Sequence, residues 1–227
     1  MHAARREKQL GQHRDLRHGP EIAVSLVDPS LDRLPGYIAA LEAGWSPNTT
    51  RDVSGEQLAA IRQDAGEFLR DLVEHDNRIV TLADGSSVPR LPGRVFWIWD
   101  GAFCGVINLR FVPGTLDLPA HVSGHLGYAV VPWKRRRGYA TQALALLLPV
   151  ARDLGLPRVL VTCDPSNTAS CWIIRTNGGI AAGSTPLPDQ PGECKLLFWI
   201  DTSGSTPQRK RVSGPYQEPC YPARSMA

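Results

Sequence analysis

The stretch Val131-Pro-Trp-Lys-Arg-Arg-Arg-Gly-Tyr-Ala-Thr-Gln-Ala-Leu144 constrains this chain more than any other. An apolar run ends at Pro132, four cations follow, and a helical pattern starts directly after Gly138. A strand that passes through a short loop straight into a helix belongs to a layered α/β domain. The same turn makes a ligand site. A helix start presents four N–H groups with no internal acceptor and a partial positive charge. A glycine lets the backbone come close to a ligand, and the neighbouring arginines add charge. Phosphate or diphosphate is the group that such a turn suits. Arg135-x-x-Gly138-x-Ala140 is neither GxxxxGKS/T nor GxGxxG, so a P-loop and a Rossmann cofactor turn are poor fits.

Four consecutive cations could instead contact nucleic acid, but the charge distribution argues against it. Residues 1–20 carry a net +3 and residues 203–227 another +3, leaving 21–202 at −3. An acidic body between basic tails lacks the basic face of a nucleic-acid-binding domain. A merely solvated turn is the other plain reading, and the order of elements around it weighs against that. Both tails are polar and rich in Pro, Gly and Ser, and read as flexible segments at 1–20 and 203–227 flanking one domain at 21–202. With 42% apolar and 21% charged residues the composition is that of an ordinary soluble protein. Five scattered cysteines without a CxxC pair argue against a disulfide framework and a zinc site, so no metal is expected, and they favour a reducing compartment. The N-terminus is charged throughout, with no apolar core of a signal peptide. The longest apolar run, Ala143 to Ala151, is far short of the roughly 20 residues that span a membrane. A cytoplasmic protein without a membrane partner is the expectation.

The remaining pattern places the turn inside a sheet. Ile22 to Val27 reads as a strand, and Leu31 to Ala43 and Gly55 to Glu74 as helices, the second capped by Ser54. Residues 84–93 read as a loop. Val95 to Trp99 and Phe103 to Phe111 form a hairpin across Asp100-Gly101. His125 to Val131 is the strand before the basic turn, and Tyr139 to Leu154 the helix after it, where Pro149 should produce a kink. Arg158 to Cys163, residues 179–182 and 194–200 are strands, with a helix from Thr168 to Asn177 closed by Gly178-Gly179. The fold class is α/β of the α+β type: a mixed, mostly antiparallel sheet flanked by helices, with one helical crossover in its middle.

Val130-Val-Pro followed by Arg135-Arg-Arg-Gly-Tyr-Ala140 resembles motif A of the GNAT N-acetyltransferases, whose pattern is Q/R-x-x-G-x-G/A after a strand. Val159 to Ser170 and Ile174 to Gly179 resemble motif B. The phrases GHLGY, RRGYAT, TCDPSNTAS, NGG and FWID are similar to one bacterial subgroup of such proteins. The resemblance spans 22–202 and is strongest over 94–200. It implies a single GNAT-like domain with splayed central strands and acetyl-CoA as cosubstrate. By matching position, backbone groups of Val130 and Val131 pair with pantetheine. The amides of Arg136, Arg137, Gly138, Tyr139, Ala140 and Thr141 surround the diphosphate, and Arg135 and Arg137 add charge. Asn167 contacts the CoA arm, with Ser170 one helical turn on; a turn or cap residue is the other reading of Asn167.

Transfer to an amine needs a neutral amine, a polarised thioester carbonyl and a proton for the leaving thiolate. His125 occupies the inner end of the strand before motif A, where relatives carry a glutamate, and is the candidate base; a structural, hydrogen-bonding histidine suits the same place. Asn108 and Arg110 alternate on the preceding strand and could line an acceptor pocket. Counting seven residues from Asn167 puts Ile174 where the family often has an acidic tyrosine, leaving Ser170, water or nothing as proton donor. The backbone N–H of Val130 or Val131 is the expected oxyanion donor. Trp133 is a candidate for adenine or surface contact. The expected activity is direct transfer of an acetyl group to a primary amine of a small molecule or peptide, in a monomer or homodimer. The alternative is an acyl-CoA-binding sensor with little turnover.

Overall fold

The computed structural model describes residues 23–74, 79–81, 85–187 and 192–203. The tails expected at 1–20 and beyond 203, with Cys220, lie outside the described residues. The elements in chain order are β1 (Ser25–Val27), α1 (Leu34–Glu42), α2 (Ser54–Gln63), α3 (Ala65–Val73), β2 (Ile79–Thr81), β3 (Ser87–Pro89), β4 (Gly93–Trp99), β5 (Phe103–Arg110), β6 (Leu126–Val130), α4 (Tyr139–Asp153), β7 (Arg158–Cys163), α5 (Thr168–Thr176), β8 (Ile180–Pro186) and β9 (Cys194–Asp201). Among the described residues no helix is long and apolar enough to cross a membrane.

Two antiparallel sheets make the body. The first has the order β1-β4-β5-β6 and the second β7-β9-β8. Alternation along the strands buries both faces of the first sheet. One face carries Ile98, Ile107, Leu109 and Leu126 and packs with Tyr139, Leu144 and Leu147 of α4. The opposite face carries Trp97, Val106 and Ala129 and is covered by Tyr37, Ile61 and Phe68 of α1, α2 and α3. Tyr37 stacks on Trp97 with ring centroids 5.2 Å apart and meets Phe103 edge-on at 5.3 Å.

The two sheets share no strand ladder. They meet where His125 N–H donates to Leu160 O at 2.8 Å and Leu160 N–H donates back to His125 Nδ1 at 3.0 Å. This pin lies just before β6. From there towards Val130 the β6 edge has no ladder partner among the described residues, so the central strands splay as a V that opens towards the basic turn.

Several expectations are corrected. The helix expected over 55–74 is two helices, because Asp64 takes an extended conformation (φ −157°, ψ 103°) and its side chain caps α3 by accepting from Glu67 N at 2.8 Å. Ser54 does not cap α2; Val53 holds that position, and the Asp52 carboxylate accepts the Ser54 N–H at 2.9 Å. Within the expected loop at 84–93, Ser87–Pro89 pairs with Ile79–Thr81 as a small hairpin. As expected, α4 runs through Pro149, reaching Asp153. Ala145 and Pro149 both face solvent, so the carbonyl that Pro149 cannot serve is left to water.

Candidate active site

The basic turn is a cradle of amides. Arg136 has φ +61° and Gly138, the N-cap of α4, has φ +82°. Left-handed residues near a helix start turn successive N–H groups to one side, a concavity that favours anions. Gln142 N–H makes the first helical bond, to Gly138 O at 3.0 Å. The amides of Arg136, Arg137, Gly138, Tyr139, Ala140 and Thr141 find no backbone acceptor among the described residues. Arg136 bears a side chain at positive φ, which costs about 1 kcal/mol or more.

Asp100, which the sequence shows only as a hairpin residue, holds this turn in place. Its carboxylate accepts from Lys134 Nζ at 2.6 Å and from the hydroxyl of Tyr139. Burial alone would raise the Asp100 pKa, but these donors hold it well below the usual carboxylate range. Lys134 is therefore an internal ion-pair partner and not a free cation. The Tyr139 side chain is a buried strut, while its amide belongs to the cradle. Arg135, Arg136 and Arg137 are exposed around the turn. Arg135 Nε donates to Val130 O at 3.0 Å, which ties the turn to the open strand edge. Trp133 beside the turn is exposed.

The ladder register decides which amides face the slot. Val131 N–H donates to Cys104 O at 3.0 Å and Arg110 N–H to His125 O at 2.7 Å. With Gly105 opposite Val130 and Ile107 opposite Tyr128, the backbone groups of Tyr128 and Val130 point away from β5 and into the V. Val131 is fully buried with its N–H committed to β5, so it cannot serve as the oxyanion donor or pair with a ligand there.

Across the slot stands α5. Asn167 is its N-cap, accepting Ser170 N–H on Oδ1 at 3.0 Å, and is exposed. The Ser170 hydroxyl lies 2.7 Å from the hydroxyl of Tyr128, joining α5 to β6 across the V. Burial pushes the Tyr128 phenol up to about 12, against the lowering effect of Ser170, so it stays protonated at neutral pH. Ile174 is fully buried in the core below. Tyr128 was missed in the sequence because its partner is 42 residues away.

His125 departs from the expected base. The ring is fully buried, Nδ1 accepts the Leu160 N–H, and the neutral tautomer therefore carries its proton on Nε2, which has no partner among the described residues. Burial, aided by the nearby Arg110 charge, lowers its pKa to about 4. The lone pair that a base would use is already occupied, and the ring does not reach solvent. His125 pins the two sheets.

Beside the pin is a cavity of about 350 Å³ whose walls include Arg90, Val95, Asn108, Leu109, Arg110 and His121. It thus contains both residues read from alternation on β5, and adds His121 from the loop before β6.

The family model of the acetyltransferase (GNAT) domain matches residues 62–180, just over half of the chain. The chain belongs to the GNAT acetyltransferase family. Solved structures carry the same fold as this GNAT domain. Mycobacterium smegmatis RimJ in complex with CoA-disulfide aligns with TM-score 0.51 and 20% identity, over 82% of this chain and 84% of that one. RimL, a ribosomal alpha-N-protein acetyltransferase in complex with coenzyme A, aligns with TM-score 0.51 and 13% identity, over 80% and 96%. A Vibrio cholerae spermidine N-acetyltransferase SpeG chimera aligns with TM-score 0.50 and 12% identity, over 79% and 96%. No curated protein matches the sequence.

Proposed function

We propose that this GNAT domain, residues 21–202, is an acetyl-CoA-dependent N-acetyltransferase that moves the acetyl group directly to a primary amine in a ternary complex. It is read as a bacterial, cytoplasmic enzyme. The observation that carries this reading is the run of six amides at 136–141, without backbone acceptors among the described residues, opening onto a strand edge where the N–H groups of Tyr128 and Val130 point outward. A diphosphate in the cradle puts the pantetheine arm beside Val130, and the length of that arm carries the sulfur further back along β6, towards Tyr128. The coenzyme A complexes of RimL and RimJ, which share the fold, support a CoA ligand here.

In this reading the outward Tyr128 N–H polarises the thioester carbonyl as the amine attacks it. The N–C bond forms, the C–S bond breaks, and the thiolate takes a proton from the Tyr128–Ser170 hydroxyl pair. Ser170 acts with Tyr128, and Asn167 orients the first turn of α5 through its cap and offers Nδ2 to the CoA arm. The proton leaving the amine passes to water or to His121, the imidazole on the acceptor cavity. A phenol and a serine at the slot supply the acid that Ile174 cannot, which favours an enzyme over an acyl-CoA sensor.

The test is Gly138→Asp. A Cβ there meets only Gln142 Nε2, at 3.6 Å, while the left-handed φ of +82° strains the backbone by about 1–2 kcal/mol, so folding is checked first by circular dichroism. Its carboxylate would occupy the cradle, and coenzyme A affinity by titration calorimetry should fall at least a hundredfold. A folded variant with unchanged affinity would refute the assignment.

A further inference from the structure

The Arg110 guanidinium lies near the pin without a counter-charge among the described residues. Its Nε donates to Gly124 O at 2.8 Å, and no carboxylate among the described residues pairs with it. Both terminal nitrogens therefore remain as donors at a cavity walled by Val95 and Leu109. A half-buried guanidinium in such walls loses hydration without gaining a partner, which is unfavourable unless a ligand brings the opposite charge. Burial also weakens its hold on the proton.

The surroundings give the site a shape. A methyl group added at Gly127 would stand 3.5 Å from Asn108 Oδ1 and 3.8 Å from Arg110 Nη2, so glycine leaves space where the two polar groups converge. Gly127 directly precedes Tyr128, and the cavity lies on the face of β6 opposite the Tyr128 ring. Among the described residues the cavity wall contains no acidic side chain, Arg90 is engaged with Asp71 O at 2.7 Å, and Arg110 supplies the positive charge. Such a wall repels a polyamine or any other polycation and attracts an anion.

We infer that the acceptor is a small amine that also carries a carboxylate, gripped by Arg110 with Asn108 beside it. This rests on the transferase reading above. The flat fork of Arg110 matches a carboxylate through two parallel hydrogen bonds, and a cavity of about 350 Å³ admits a molecule of amino-acid or short-peptide size. The carboxylate holds the acceptor while its amine points around the edge of β6 to the thioester.

The full-length protein is first titrated with coenzyme A; failure there sinks the transferase reading and leaves the anion site to be judged by binding alone. Thiol release from acetyl-CoA is then measured with free amino acids, alanine-based dipeptides, the carboxamides of both, phosphoethanolamine and spermidine. Saturation-transfer NMR records binding of the same compounds whether or not they react. We expect carboxylates to exceed their carboxamides by ten- to a hundredfold in kcat/KM or affinity, as a charge-assisted pair allows. The arm with the larger ratio identifies the source, amino acid or peptide. Arg110→Gln should bring that ratio close to one with coenzyme A affinity retained, and Arg110→Lys should keep part of it. Equal use of carboxamides, preference for spermidine or phosphoethanolamine, no carboxylate bound at millimolar concentration, or an undiminished ratio in Arg110→Gln would overturn the inference.

Discussion

His125 offers a test of whether the two sheets are joined by a neutral imidazole. Folding lowers its pKa from the ordinary value near 6.5 to about 4. Between those values the unfolded chain binds a proton that the folded protein refuses, so stability must fall as pH drops through this window. Each unit corresponds to about 1.4 kcal/mol, so the loss amounts to roughly 3 kcal/mol by pH 4 and grows little below it, where the folded form also protonates. His125→Asn isolates this contribution. The amide oxygen of asparagine can take the place of Nδ1 and accept the Leu160 N–H, but it does not titrate. At pH 7.5 the variant should be the less stable protein by roughly 1–2 kcal/mol, because the smaller side chain leaves a void next to Trp199. On acidification the gap should close and then reverse, a relative change of roughly 3 kcal/mol. Urea unfolding of both proteins from pH 7.5 to 4 measures it, and acid effects elsewhere cancel in the difference. A gap that stays constant across the window, or an imidazole titrating near pH 6.5 by NMR, would refute the account.

Other consequences are direct. Tyr128→Phe should lower kcat by roughly ten- to a hundredfold while coenzyme A affinity, read by calorimetry, stays within twofold. Asp100→Asn should lower the melting temperature and weaken coenzyme A binding by loosening the basic turn. Because the Asp100 pKa is depressed on folding, its contribution is complete above the ordinary carboxylate range near pH 4 and fades as pH falls below it, so the wild type and this variant should converge in melting scans at low pH. Gly105→Ala should cost more than 3 kcal/mol in urea unfolding, since its Cβ would stand 2.2 Å from Ala129 O at a residue with φ +150°.

The parts legible in the sequence were those fixed by neighbours along the chain. The Val95–Phe111 hairpin, the strand before the basic turn and the two helices after it follow from alternation, a turn dipeptide and helical spacing. The break at Asp64 had a local signal as well: Asp64-Ala-Gly-Glu67 has the spacing of a capping box, but an apolar stripe continuing through Ile61, Phe68 and Leu69 masked it. The small hairpin at 79–89 was hidden because its strands are only three residues long. Pairings across distant segments left no trace in either strand. Asp100 with Lys134, Tyr128 with Ser170 and His125 with Leu160 are made by the topology, and each changes the role assigned to at least one residue. Arg110 and Asn108 were found from alternation because both stand on one strand, whereas His121 needed the folded loop to bring it to the same cavity.

The end of α5 is locked more tightly than the chemistry above it requires. At Gly179 an added methyl group would stand 2.4 Å from Ile174 Cγ2, so that turn of chain is seated directly on the isoleucine. Grafting the family's aromatic acid into position 174 would force a ring into a space already filled. It would wedge the helix off its sheet long before it delivered a proton. In the transferase reading proposed above, the donor is instead the Tyr128–Ser170 hydroxyl pair that spans the cleft.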